Sequence, residues 1–93
     1  MNKETKEMVE LMKQILLSAG FQKNKKTDQR LDKGFMSVKF NDTSWRLERK
    51  VLICGKPEWR NSTPRKTSNY YKDITPKIID IIINMADTLL TIK

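Results

Sequence analysis

The chain reads as a small single α+β domain: an antiparallel β-hairpin or meander packed against an N-terminal and a C-terminal helix. An apolar stripe of helical period lies near the N-terminus, and apolar and polar residues alternate through the middle. A nearly all-apolar helical segment follows a Thr-Pro pair near the C-terminus. The expected order is α-β-β-(β)-α over residues 1–93, with a helix in 1–20, a β region in 21–60, a basic loop in 55–73 and a helix in 75–91.

The first helix is expected from Lys3 to Ala19. Met8, Leu11, Met12, Ile15 and Leu16 repeat at i, i+3, i+4, i+7 and i+8, which puts them on one core-facing stripe. Asn2 is the candidate N-cap, and Glu4, Glu7 and Glu10 suit a positive helix start. Gly20 stands where a left-handed residue ends a helix, followed by Phe21 as its hydrophobic contact.

In the middle, Met36, Val38 and Phe40 alternate with Ser37 and Lys39, the pattern of a half-buried strand. Asn41-Asp42-Thr43-Ser44 is turn chemistry. Trp45, Leu47, Val51 and Ile53 then share one face, opposite Arg46, Glu48, Lys50, Leu52 and Cys54, which completes a hairpin with Trp45 as a core anchor. Arg49 falls on the apolar face, so a bulge or strand end is expected there. Phe21 to Arg30 is a lysine-rich candidate edge strand, and Trp59 a candidate short strand. The rest of Gly55 to Lys72 reads as loop, long enough to be functional or mobile. Its Tyr70 and Tyr71 cannot both point inward if the segment is extended.

The last helix opens with Thr75 as N-cap, Pro76 at N1, and Ile74 and Ile79 as a hydrophobic staple. Its polar residues Asp80, Asn84, Asp87 and Thr91 form one narrow stripe. The remaining apolar surface must be covered, either by packing within the monomer or by a homodimer or partner interface.

Charge carries the functional signal. Of the net +8, residues Arg49 to Lys72 supply +6, with Trp59, Tyr70 and Tyr71 interleaved. Cations neutralise phosphates and rings stack on bases, so this is the footprint of a DNA or RNA contact. Four of the five arginines lie between positions 46 and 65, and arginine suits bidentate phosphate recognition better than lysine. The candidate contact residues are Arg46, Arg49, Lys50, Lys56, Trp59, Arg60, Arg65, Lys66 and Tyr70. A solvated positive face is the plainer reading of the same charges.

Other classes find little support. With no histidine, His-based acid–base catalysis and most transition-metal sites are unavailable, and no cofactor is expected. Cys54 is the lone cysteine, so it makes no internal disulfide. The Ile78–Ile83 run is broken by Asp80 and falls short of the roughly 20 residues a membrane span needs. A cytoplasmic setting is the expectation, and the Lys, Asn and Ile richness is compatible with an AT-rich bacterial or phage genome. Glu48-Arg49-Lys50 is an E-x-K triplet with Asp42 nearby, the residue set of a Mg²⁺-dependent nuclease, but such triplets arise often in a highly charged chain.

The element order, together with Ala19-Gly20-Phe21 ending the first helix, resembles the double-stranded-RNA-binding and HicA-type toxin architecture. The strand histidine such toxins use for RNA cleavage is absent, so nuclease activity does not follow. The leading expectation is a small non-enzymatic nucleic-acid-binding protein. The alternative is a protein-interaction module, such as a phage-encoded inhibitor docking on an acidic or nucleic-acid-binding site of a host protein.

Overall fold

The computed structural model describes residues 2–64 and 67–91, the side chains through Thr88. Helix α1 (Lys3–Ser18) leads into a five-stranded antiparallel meander, β1 (Gln22–Lys23), β2 (Arg30–Lys33), β3 (Met36–Phe40), β4 (Trp45–Ile53) and β5 (Lys56–Asn61). A short 3₁₀ turn (Tyr71–Asp73) then precedes helix α2 (Pro76–Thr91). The strands lie in the sheet in chain order.

Both ends of α1 are closed as expected. The Asn2 side chain accepts the Thr5 N–H. At the other end Gly20 takes φ +102°, and the N–H groups of Gly20 and Phe21 return to the carbonyls of Leu17 and Leu16. In α2, Thr75 Oγ1 accepts the Ile78 N–H, while Ile74 and Ile79 line the same groove beside α1.

One core unites both helices with one face of the sheet. Val9, Met12 and Leu16 of α1 and Ile79, Ile82 and Ala86 of α2 meet Leu31, Met36, Val38, Phe40, Trp45 and Leu47. The α1 stripe is rotated from the expected one: Val9 takes a core position, whereas Leu11 and Ile15 are exposed. The reason is that α1 also packs against α2 and the 3₁₀ turn, which draws Val9, Met12 and Leu16 inward. Leu11 and Ile15 instead form the wall of an apolar groove shared with Met8, Ile74, Pro76 and Ile79. Ile78, Ile83 and Met85 of α2 pack partly against the core, and the side chains of Leu89 and Leu90 lie outside the described residues.

The β region differs from expectation in three places. The stretch expected as one edge strand is two strands with a turn between, because Asn24 Oδ1 accepts the N–H groups of Lys26 and Thr27 and bends the chain. Neither a bulge nor an end of β4 falls at Arg49, which pairs in register with Met36 and Arg60; the strand that ends there is β3, so the Arg49 side chain lies exposed beyond the core. Finally, the expected loop after Gly55 begins as strand β5, paired with β4 from Ile53↔Lys56 to Glu48↔Asn61. Beyond β5 the connection stays tied to β4. Ser62 donates to the Leu47 carbonyl, Thr63 Oγ1 accepts the Leu47 N–H, and Asn69 brackets Trp45 with two hydrogen bonds.

Candidate nucleic-acid interface

Register decides which side chains share the face opposite the helices. Met36, Val38, Phe40, Trp45 and Leu47 point to the core, so Ser37, Lys39, Arg46, Glu48 and Lys50 point outward. Arg30 and Asp32 of β2 and Trp59 and Asn61 of β5 join them through their pairings. Among the described residues both helices pack on the core face and neither lies over this outer one.

Across it runs a row of three cations. Arg30 is directly opposite Lys39, and Lys39 is directly opposite Arg46. Facing residues on neighbouring strands hold their Cβ atoms about 5 Å apart, and like charges so placed destabilise a sheet. One acid offsets them. Glu48 lies on the next row, with its carboxylate 2.7 Å from Arg30 Nη2 and 3.5 Å from Arg46 Nε. The Glu48 Oε1 atom makes the Arg30 contact as an ion pair without hydrogen-bond alignment. Glu48 is buried, although it sits on the outward face.

Arg30 is what covers it. Ser37, fully buried between β2 and β4, is small enough for the arginine to lie across it, and its hydroxyl meets Arg30 Nη1 at 3.2 Å. The guanidinium carbon then sits 5.1 Å from the Trp59 ring centre, with Lys50 Nζ 6.0 Å from the same ring. One side chain of β2 thus reaches β4 and β5. Lys39 has no ion pair among the described residues, and Arg46 and Lys50 remain exposed.

The expected contact residues divide between surfaces. Arg46, Lys50 and Trp59 come together on the outer face. Arg49, Lys56 and Arg60 lie on the other face of the β4–β5 hairpin, all exposed. Tyr70 is elsewhere, bridged to Ser44 at the start of β4, with Lys72 5.9 Å from its ring centre. Its neighbour Tyr71 is the buried one, its hydroxyl donating to the Asn41 carbonyl at 2.6 Å. Arg65 and Lys66 lie outside the described residues. Sequence reasoning did not find Arg30 or Lys39, because they join the site only through strand pairing.

Glu48 of the E-x-K triplet is held by two arginines, while Asp42 sits in the β3–β4 turn beside Tyr71. Among the described residues no three acidic or cysteine side chains converge on a point that could hold a metal ion. No helix among them is long and apolar enough to cross a membrane. No family model, curated protein or solved structure matches the chain.

Proposed function

We propose that this protein binds nucleic acid through the outer face of its sheet and the adjoining β4–β5 hairpin. The observation that carries the reading is the row Arg30–Lys39–Arg46, which gathers like charges where folding alone disfavours them. A polyanion laid along that row relieves the repulsion. Lys39 and Arg46 contact phosphates, Lys50 extends the track, and Trp59 borders it, its ring holding the Arg30 and Lys50 cations in place. Arg30 has a second duty, since it is also the cation that neutralises Glu48.

The test is fluorescence anisotropy with single- and double-stranded DNA and RNA, comparing the wild-type chain with Lys39→Glu/Arg46→Glu. Binding at low salt that the double variant abolishes, with its circular dichroism spectrum unchanged, supports the reading. Equal affinity of both chains overturns it.

A second reading is a protein-interaction module of the inhibitor kind. What favours it is the apolar groove of Met8, Leu11, Ile15, Ile74, Pro76 and Ile79, which lies between α1 and α2 and away from the cations. That reading gives weak or no affinity for free DNA or RNA, so the same titration separates the two.

A further inference from the structure

Resting on the nucleic-acid reading, we infer that the ligand is duplex DNA, with the β4–β5 hairpin as a ribbon that enters its major groove. The sheet is not equally deep along its length. Strand β3 begins at Met36 opposite Arg49, and the last contact from that side is the Lys50 N–H on the Phe35 carbonyl. Beyond Lys50 only β4 and β5 remain, paired as Val51↔Glu58, Leu52↔Pro57 and Ile53↔Lys56. Cys54 and Gly55 close the hairpin with positive φ angles of 52° and 78°, the tight turn that matches strand twist. At about 3.4 Å per residue the free ribbon projects roughly 10 Å. A B-form major groove is about 12 Å wide and 8.5 Å deep and admits a two-stranded ribbon, whereas the A-form major groove of RNA is too narrow to enter.

Cations flank the ribbon on both faces. Lys50 is on the outer face at the base of the ribbon, with Arg46 further back on β4, where β3 still pairs. On the opposite face Arg49 and Arg60 are directly paired across the strands, with Lys56 nearer the tip. Glu58 takes part of the Arg60 charge at 3.2 Å, and Arg49 has no ion pair among the described residues. A single strand passes along one face of such a ribbon. Two phosphate backbones, one to each side, are what a duplex groove supplies. On the outer face, next to the Cys54-Gly55 turn, Leu52, 75% exposed, and its partner Pro57 form an apolar patch suited to thymine methyl groups.

The experiment measures binding of the full chain to a DNA duplex of roughly two turns, the matching RNA duplex and each single strand, over a salt series. The expected result is that DNA duplex binds at least about tenfold tighter than the other probes. Arg49→Ala/Arg60→Ala should remove that preference and lower the duplex salt slope by about 2, one per lost phosphate contact. Both arginines are exposed and mutually repelling, so this variant keeps its thermal stability. Equal or tighter binding to single strands or RNA duplex overturns the inference and leaves the nucleic-acid reading standing, as does a double variant that holds duplex DNA like the wild type. Binding to none of the probes removes both.

Discussion

Glu48 is the acid on which the outer face depends. It lies between the two arginines that end the cation row, and the Arg30 side chain seals it from water. Glu48→Gln leaves those arginines without an anion, and removing one member of a buried pair costs about 3 kcal/mol. Urea unfolding should therefore show a large loss of stability. Affinity for nucleic acid should hold or rise, because the freed arginines face the ligand. Loss of binding with stability unchanged would show that Glu48 itself serves the ligand. Tyr71 gives a second test at this scale. Burial of its hydroxyl pushes the pKa from 10.0 up to about 12, so the folded state favours the neutral phenol. Its contribution is complete below about pH 10 and is lost as pH rises through about 12. Tyr71→Phe should flatten the alkaline loss of stability and cost about 1 kcal/mol at neutral pH through the vacated Asn41 carbonyl. Urea midpoints compared at neutral and alkaline pH check both parts. Neither role was visible in the sequence, since Glu48 read as one half of a metal-binding triplet and Tyr71 as one of two equivalent tyrosines.

Elements were legible where their punctuation was local. The Asn2 cap, the Gly20 stop and the Thr75-Pro76 start needed only neighbouring residues, and all three appear as read. Gly20→Ala should cost about 1 kcal/mol in a thermal melt, because the residue holds φ +102° and the added Cβ would press on the Lys33 side chain at 3.3 Å. Strand β5 was legible only in part. Its Lys56-Glu58-Arg60 and Pro57-Trp59-Asn61 alternation has period 2, but charge replaces apolar residues and Pro57 argues for a loop. An edge position resolves the conflict: among the described residues β5 pairs with β4 alone, and a proline is tolerated where one side of the strand makes no ladder. Strand β2 was hidden because only Leu31 of its four residues is fully buried. The candidate site depended on those two strands. Without β2 neither Arg30 nor the cation row can be assembled, so the site was legible on β4 and β5 and invisible on its other side.

At the scale of the molecule, a neutral α1 and a slightly acidic α2 cover one face of the sheet and leave cations to the other face and the projecting hairpin. The basic stretch first seen as a loop is therefore a strand, a ribbon and a connection pinned to β4. A surface that only keeps a protein soluble has no need to align cations opposite one another. The most direct measurement is the salt dependence of binding by the wild-type chain to DNA. Each neutralised phosphate releases counterions, so about five contacts, from Lys39, Arg46, Lys50, Arg49 and Arg60, give a log–log slope of about −4.5. Binding at low salt that weakens along such a slope is the predicted result. No binding at low salt, or an affinity indifferent to salt, contradicts it.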